Sequence, residues 1–470
     1  MRLSIANLGA LTKAEIDIKP LTVFVGPNNT GKTWTASIVA AIMSQHGWKD
    51  YSDAYSKNET SQKFTEIENA ANQILQEGNA KIDLIEFFNS NGLKYFNDAA
   101  KSTIKSTNII LGTRKLFFGK TKIKIEFNDM EINEIRKNLL NNVVKIRMGI
   151  GKSKKALLTA IKERKSPILY FFTTERDIPE KIPEGGIKDF INMSVFRICH
   201  SAYFHNIYFF PSERTGLMTI FLDVSPMRGR KRDIPPEDSE DNKKELLLSA
   251  ACGDLISTME NIKRYGNFDK RLQEAKKNIY VAKYLELVEI LQKEILQGRI
   301  DYARPEPQLP PKVLYTLNDN QKIILEMTAV SSMVKDFAPI ILYLRYFARK
   351  GDLILIDEPE MNLHPESQVK LIEFLAMLVN AGIYVIVTTH SSYIVDHLTN
   401  LMKAAKNKDP TSIQEKFYLK NTEAFIPQTK VSVYLFGNNT AKDILTKEGS
   451  IDWETFSSVA EHVSEIYFDI

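Results

Sequence analysis

The hydrophobic and polar positions of this 470-residue chain form one pattern at its two ends and another between them. Near the N-terminus, the runs "RLSIANL", "AEIDI" and "LTVFV" predict three short strands. The third strand leads into Gly26, and a helix is predicted at once in "KTWTASIVAAIMSQ". Strand, glycine turn and helix in this order are typical of the first unit of an α/β sheet.

Strand and helix patterns alternate again near the C-terminus. "KVLYTL" and "KIILEM" predict a hairpin, and predicted elements follow at 333–349 (helix), 353–356 (strand), 366–380 (helix) and 383–389 (strand). Between the two ends, polar segments such as "QKFTEIENAANQILQ" and "INEIRKNLLNNVVKIRM" predict helices, with a strand pair near "RKLFFGKTKIKIEF". "NIYFF" predicts one further core strand.

These patterns predict one sheet-containing core that is split by insertions. The five predicted segments are the N-terminal half of the core at 1–55, a helical and partly basic insertion at 56–200, a core strand and loop at 201–225, a helical insertion with a charged hinge and a proline-rich linker at 226–310, and the C-terminal half of the core at 311–470.

The motif "GPNNTGKT" follows the third strand and opens the first helix, which is the context that a phosphate-binding loop requires. Glycines let backbone N–H groups curl around phosphate, Lys32 supplies a cation to the β- and γ-phosphates, and Thr33 offers a hydroxyl to Mg²⁺. We therefore predict ATP and Mg²⁺ as the ligands. The predicted ATP-contacting residues of this loop are Gly26, Pro27, Asn28, Asn29, Thr30, Gly31, Lys32, Thr33 and Trp34.

Two adjacent carboxylates, Asp357 and Glu358, end the apolar strand predicted in "LILIDEPE". At a buried strand end such a pair needs a cation or a proton to accept. We predict that Asp357 holds Mg²⁺ through its water shell and that Glu358 orients and deprotonates the attacking water. The apolar strand in "IYVIVTTH" ends in His390, which we predict to act with Glu358 and Lys32 in catalysis as a donor to the γ-phosphate. A histidine that only caps a strand is the alternative.

Together these motifs resemble the ATP-binding-cassette ATPases of the SMC, RecF and OLD type, over roughly residues 1–50 and 313–400. The resemblance implies an α/β P-loop NTPase fold, an ATP-binding-cassette type core with helical insertions, and a dimer that sandwiches ATP. "DEPEMNLHP", with Glu360, Asn362, His364 and Pro365, looks like the turn that crosses this dimer interface. "PSERTG", with Arg214, looks like a loop found in such relatives, but the chemistry of Arg214 alone assigns it no role.

The resembling family also carries a signature serine, followed by two glycines, that contacts the nucleotide of the partner protomer. In "TAVSSMVKDFAP" that place holds Ser331, Ser332 and Met333. Apolar residues at helical spacing follow and predict a core-facing stripe: Val334, Phe337, Ala338, Ile341, Leu344 and Ala348. A helix N-terminus that begins with serines favours anions. We therefore predict an ATP contact in trans by Ser331 or Ser332, with slow turnover because the glycines are missing.

The formal net charge of +4 does not by itself indicate a nucleic-acid partner. Residues 101–165, however, hold 17 Lys or Arg against 5 Asp or Glu, a local surplus that suits a phosphate backbone. A solvated helical face and the acidic patch of a partner protein are the alternatives. The run "RGRKR" at 228–232 is a shorter basic patch beside the acidic "PPEDSED".

The cysteine content and the hydropathy of the chain indicate in which cellular compartment we expect the protein. Cys199 and Cys252 are the only cysteines, so the sequence indicates neither a zinc site nor a disulfide framework. The first twenty residues contain no signal-peptide core, and every apolar run is shorter than the about 18 residues of a membrane helix. We expect a cytoplasmic protein with no membrane partner.

The leading hypothesis is an ATP-hydrolysing sensor or clamp that forms a homodimer or higher homo-oligomer on ATP and controls a separate effector, such as a nuclease. The layout is similar to the ATPase subunits of the Septu and PARIS antiviral systems, and DNA maintenance is the other setting. The main alternative is a slow-turnover ATP-bound scaffold. A stand-alone OLD-type nuclease is disfavoured because no D-x-D motif follows His390. A transporter subunit does not suit the insertions. The trigger, the effector and the glutamine loop stay unassigned.

Overall fold

The computed structural model describes residues 1–113, 118–149, 156–173, 184–221, 248–304, 308, 311–318, 323–451 and 465–466. They form two compact units. Unit 1 combines Met1–Asp17, Ile38–Asn108 and Lys115–Ile207, and unit 2 combines Ile18–Ser37, Ile109–Arg114 and Tyr208–Ile470. The predicted phosphate loop and the predicted catalytic strand ends therefore lie in the same unit. The basic run at 228–232 lies outside the described residues.

The strands are short. They are β1 Arg2–Leu8, β2 Leu11–Asp17, β3 Leu21–Val25, β4 Asn79–Asp83, β5 Lys122–Glu126, β6 Val144–Met148, β7 Leu158–Lys162, β8 Ile168–Thr173, β9 Ile207–Phe210, β10 Gly298–Ala303, β11 Lys312–Leu317, β12 Ile324–Glu326, β13 Leu353–Asp357, β14 Tyr384–Thr389, β15 Val431–Gly437 and β16 Thr440–Asp443.

The helices carry the capping chemistry that their sequences supply; Asn128 and Glu131, for example, form a capping box at the start of α6. The helices are α1 Lys32–Met43, α2 Gln45–Ser56, α3 Thr65–Glu77, α4 Leu84–Lys105, α5 Thr107–Ile110, α6 Asp129–Asn141, α7 Glu184–His200, α8 Arg214–Phe221, α9 Ala250–Tyr265, α10 Phe268–Ala275, α11 Ile279–Leu291, α12 Ser332–Tyr346, α13 Pro365–Asn380 and α14 Ser392–Ala404. A π-helical turn, Gln292–Leu296, extends α11.

Unit 2 is built on a sheet whose strands lie in the order β16-β15-β3-β14-β13-β9. Strand β3 pairs in parallel with β14 and β15, and β14 pairs in parallel with β13. The central strands β3 and β13 are buried at every position, as expected for parallel strands covered on both faces. A small antiparallel sheet, β10-β11-β12, contains the predicted hairpin.

Helix α12 packs its predicted stripe into the core of unit 2. All six predicted positions of the stripe are buried, and so are Tyr343 and Arg345 on the rest of the helix. The helix is therefore buried on more than one side. This fixes its N-terminus, where Ser331 and Ser332 lie.

Unit 1 contains an antiparallel β5-β1-β2 arrangement and a separate antiparallel sheet in the order β4-β8-β7-β6. Its helices bury an aromatic cluster in which the rings of Tyr95 and Phe196 stack with centroids 5.0 Å apart. Next to this pair, the ring of His200 stacks on that of Phe96. Aromatic rings thus supply much of the buried apolar surface of this unit.

The prediction that "INEIRKNLLNNVVKIRM" is helical throughout was wrong in its second half. Helix α6 ends at Asn141, and Val144–Met148 is strand β6, with alternating exposure. The β-branched Val144 and Ile146 alternate with charged residues there, which favours a half-buried strand over a helix. The segment predicted to be mainly helical therefore contains the four-stranded sheet as well. The first half of the predicted strand pair, 114–117, lies outside the described residues.

Candidate functional site

The predicted site residues of unit 2 meet at one edge of its sheet. In the parallel register Asp357 lies opposite Thr388, and Thr389 lies opposite Val25. The carboxyl ends of β13, β14 and β3 consequently lie side by side. This edge is where ligands of open α/β sheets bind.

The loop after β3 needs its first glycine for two separate reasons. Gly26 has φ 139°, and a Cβ atom placed on it would lie 2.2 Å from the carbonyl oxygen of Phe436 on β15. Gly31, at the other end of the loop, has φ 97°. Within the loop the hydroxyl of Thr30 donates to the carbonyl oxygen of Pro27 at 2.9 Å. The loop is thus held in a conformation that side chains at these positions would disturb.

Lys32 is folded back into this loop. Its Nζ atom donates hydrogen bonds to the carbonyl oxygens of Gly26 at 2.8 Å and Pro27 at 2.7 Å, and the residue is 5% exposed. Burial lowers the pKa of Lys32, while the carboxylates of Glu358 and Asp357 act in the opposite direction. The ammonium group therefore lies in a polar cage opposite two acids.

Asp357 is held by hydroxyl groups from two other elements. Thr33 Oγ1 donates to Asp357 Oδ1 at 2.9 Å, and Thr388 Oγ1 donates to the same oxygen. Asp357 itself is 2% exposed. The hydroxyl and the carboxylate that were predicted as Mg²⁺ ligands are thus neighbours.

Glu358 has an unusual backbone conformation, with φ 45°. Its N–H group donates to the carbonyl oxygen and to the hydroxyl of Thr388, both at 3.1 Å. Its side chain is paired with His390, whose Nε2 lies 3.2 Å from Glu358 Oε1. Burial and the nearby Lys32 lower the pKa of His390, and Glu358 opposes this shift. The backbone strain at Glu358 is compensated by several surrounding hydrogen bonds.

Glu360 anchors the backbone that carries His390. Its Oε1 atom accepts hydrogen bonds from His390 N at 2.6 Å and from Thr389 Oγ1 at 2.7 Å. Its Oε2 atom is buried without a hydrogen-bond partner among the described residues. Burial raises the pKa of this carboxyl group.

Arg214 is a part of the site whose role the sequence did not reveal. It is 1% exposed, and its guanidinium donates to the carbonyl oxygens of Asp357 at 2.6 Å, Glu358 at 3.0 Å and Pro211 at 3.0 Å. Its position directly after "PSE", behind a strand, was the only signal in the sequence. The guanidinium contacts the backbone of both predicted acids.

Asp336, on the second turn of α12, faces this guanidinium. Arg214 Nε lies 3.7 Å from Asp336 Oδ1, and the same oxygen accepts from the hydroxyl of Thr215. Asp336 Oδ2 accepts from Asn362 Nδ2 at 2.8 Å. The helix that starts at Ser332 is therefore connected through Asp336 to the predicted catalytic strand end.

The remaining predicted residues lie on the surface of the loop or at the start of α12. Pro27, Asn28, Asn29, Thr33 and Trp34 are exposed. Ser331 is the N-cap residue of α12, and neither its side chain nor that of Ser332 forms a hydrogen bond within the described residues. Both hydroxyls are exposed and point to no partner within the described protomer.

The residues present fit ATP and Mg²⁺. The glycine cradle at Gly26 leaves no room for a side chain, a buried cation lies behind the loop, and a hydroxyl and a carboxylate are adjacent at the strand end. Oxygen ligands of this kind, completed by phosphate oxygens and water, are those that Mg²⁺ prefers.

Comparison with known families supports this interpretation. The sequence model of a family described as "AAA ATPase domain" matches residues 235–395, which include Asp357, Glu358 and His390. The match spans less than half of the chain and supports the predicted class at the level of an ATPase domain. The sheet of unit 2 confirms the predicted α/β core. A search of curated protein sequences finds no match to this chain.

Two solved structures have a distant likeness to the chain. A crystal structure of an Smc head bound to the C-terminal winged-helix domain of ScpA has 11% identity and a TM-score of 0.36, and it covers 95% of this chain and 98% of that one. A Pyrococcus furiosus Smc head domain with an extended coiled coil, bound to the C-terminal domain of ScpA, has 11% identity, a TM-score of 0.32 and 98% coverage of both chains. At these scores the likeness supports no further inference.

Proposed function

We infer that the protein hydrolyses ATP at the edge formed by β3, β13 and β14. The observation that carries this proposal is the convergence of Lys32, Thr33, Asp357, Glu358 and His390, brought together from three separate parts of the sequence. A site that only bound nucleotide would need no carboxylate paired with a histidine beside the phosphate loop. Glu358 is therefore the residue that argues for hydrolysis.

Each side chain has a distinct task in this proposal. Lys32 leaves the carbonyl oxygens of Gly26 and Pro27 and turns to the β- and γ-phosphates. Thr33 and Asp357 would hold Mg²⁺, and the ion would supply positive charge that neutralises the phosphates.

Glu358 accepts a proton from water as the water oxygen bonds to the γ-phosphorus and the bond to the β,γ-bridging oxygen breaks. His390, whose Nε2 contacts Glu358, turns its single N–H donor to the γ-phosphate once ATP is bound.

We further propose that two copies close on ATP and so control a separate effector, such as a nuclease, in antiviral defence or DNA maintenance. Ser331 and Ser332 support this proposal because they begin a buried helix and leave exposed hydroxyls at a helix N-terminus. In the closed dimer, one of these hydroxyls contacts the nucleotide held by the partner. Among the described residues no helix is long and apolar enough to cross a membrane.

ATP turnover by the purified full chain, with Mg²⁺, tests the proposal. We expect measurable phosphate release from the wild type and none above background from Lys32→Ala. The control Lys19→Ala, just before β3, keeps the wild-type rate. Retained ATP without phosphate release would instead favour the slow-turnover scaffold. Equal rates in all variants would exclude this site as the source of the activity.

A further inference from the structure

We propose that the open face of the β4-β8-β7-β6 sheet in unit 1 binds single-stranded nucleic acid. This surface, here called the basic sheet face, is defined by Lys81, Lys145, Arg147, Tyr170 and Phe172. It is separate from the ATP site of unit 2, and the proposal stands whether or not that site hydrolyses ATP.

The strand register places these side chains on one face. Lys81 lies opposite Tyr170, Tyr170 opposite Ile161, and Ile161 opposite Lys145. Directly opposite residues of antiparallel strands point to the same side of a sheet. Four strands with spacings of about 4.8 Å make this row about 14 Å wide.

The neighbouring row is similar on β8 and β6, but β4 supplies the uncharged Asn79 opposite Phe172. Phe172 lies opposite Thr159, and Thr159 lies opposite Arg147. Thr159 is small and buried, whereas Phe172 is partly exposed and Arg147 is exposed. The two rows therefore place aromatic rings on the inner strand β8 and cations on the edge strands β4 and β6.

The opposite face of the same sheet is the one that packs inside unit 1. Ile82, Leu169, Phe171 and Ala160 all lie there and are at most 4% exposed. The fold is thus stabilised from that side. The basic sheet face is not needed to bury a core, yet it carries Tyr170 with 46% of its surface exposed.

Protection of the sheet edges does not explain this composition. Lysines on edge strands do prevent unwanted strand pairing, which accounts for Lys81 and Lys145. It does not account for an exposed aromatic ring on the inner strand β8. Lys81, Lys145 and Arg147 form no ion pair with any residue in the described part of the chain, so their charges are not neutralised there.

Single-stranded nucleic acid can interact with both the aromatic rings and the cations of the basic sheet face. Unpaired bases stack on exposed rings, and the backbone phosphates pair with cations at the margins of the stacking surface. A duplex hides its base faces and would leave Tyr170 unused. An acidic protein segment would use the cations alone, so the aromatic ring favours nucleic acid.

Fluorescence anisotropy of the full chain with a labelled 20-nucleotide dT strand, a 20-nucleotide U strand and a 20-base-pair duplex tests the proposal, without ATP. We expect at least one of the two single strands to bind more tightly than the duplex. The strand that binds more tightly shows whether the surface prefers DNA or RNA. Tyr170→Ala weakens this binding about tenfold, whereas Tyr170→Phe keeps it because the ring remains. Lys145→Gln with Arg147→Gln weakens binding and makes it less dependent on salt.

Two matched controls make the test specific. Tyr418→Ala removes a ring with 49% exposure from unit 2, and Lys122→Gln with Lys124→Gln removes two charges from the same basic stretch of sequence but from strand β5. Both controls should bind as the wild type does.

Equal loss in the charge control, unchanged binding by Tyr170→Ala, or tighter binding of the duplex would overturn the proposal. Binding of a labelled polyglutamate peptide but of neither strand would overturn it in favour of an acidic protein partner.

Discussion

Arg214 Nη2 donates a hydrogen bond of 3.0 Å to the carbonyl oxygen of Glu358, the residue whose backbone lies at φ 45°. The guanidinium also binds the preceding carbonyl oxygen, that of Asp357, at 2.6 Å. A buried cation thus holds the backbone conformation of the two acidic residues on which the proposed chemistry depends. Because the side chain contacts backbone rather than the reacting atoms, we regard Arg214 as a positioning residue.

Replacing this guanidinium by an ammonium group should slow turnover without abolishing ATP binding. A lysine cannot reach three carbonyl oxygens with fixed donors, so Glu358 loses its alignment. For Arg214→Lys we expect kcat about 100-fold lower, the scale for a catalytic group misplaced by 1 Å, with KM for ATP little changed. Arg264→Lys, at a partly exposed ion pair on α9, is the control. A wild-type kcat for Arg214→Lys would contradict the positioning role.

The buried pair of Arg214 and Asp336 should also be coupled in stability. Asp336→Ala leaves the guanidinium without its charged partner and should lower the free energy of unfolding by about 3–5 kcal/mol. In urea unfolding, the double variant Arg214→Met, Asp336→Leu should lose less than the two single variants together. Glu260→Ala, at the partly exposed pair with Arg264, should cost about 0–1 kcal/mol. Strict additivity at the buried pair would refute the coupling.

Closure of two copies on ATP should depend on the start of α12. Light scattering of Glu358→Gln with ATP and Mg²⁺ should detect a dimer that is absent without nucleotide. Adding Ser332→Ala or Ser331→Ala should shift this equilibrium back to the monomer, while the exposed Ser412→Ala should not. If neither serine variant changes dimerisation or turnover, the stretch is an ordinary helix start.

His200 should make unit 1 sensitive to acid. Burial lowers the pKa of His200 to about 4, and its Nδ1 atom lies 3.0 Å from the hydroxyl of Tyr95. Between pH 6.5, the ordinary pKa of histidine, and pH 4 the unfolded chain binds more protons at this position than the folded chain does. The contribution of the neutral His200 to the free energy of unfolding is therefore fully present above about pH 6.5 and is lost as the pH falls toward 4. The loss approaches ~3 kcal/mol near pH 4.

His200→Gln, which retains a hydrogen-bonding group, should remove this part of the pH dependence. Urea unfolding from pH 7 to pH 4.5 compares the two proteins, because all other titrating groups are shared. Parallel curves for wild type and variant would exclude His200 as the source.

The core could be predicted from the sequence because its signals are local. Strand β3 and the loop after it follow from an apolar run and a glycine motif, and β13 and β14 are continuous apolar runs that end in polar residues. The stripe on α12 follows from 3.6-residue spacing. Each of these elements can be predicted from a local pattern of fewer than about twenty residues.

The connections among distant residues could not be predicted in this way. Arg214 and Asp357 are 143 positions apart, and no local pattern states that they bond. Asp336 interrupts an apolar stripe, which is visible in the sequence, but its partners Thr215 and Asn362 depend on the fold. The four-stranded sheet of unit 1 was missed because short polar strands next to helices resemble helical segments in composition. The proposed roles of Lys32, His390 and the serines stay predictions.

Single-turnover hydrolysis tests the central claim, that Glu358 activates water at a working ATPase site, most directly. The wild type and Glu358→Gln are loaded with a substoichiometric amount of labelled ATP and Mg²⁺, and bound ATP and released phosphate are followed together. We predict that both proteins bind ATP with similar affinity and that Glu358→Gln cleaves it about 10²- to 10⁴-fold more slowly. Cleavage of bound ATP at the same rate by both proteins would contradict the account.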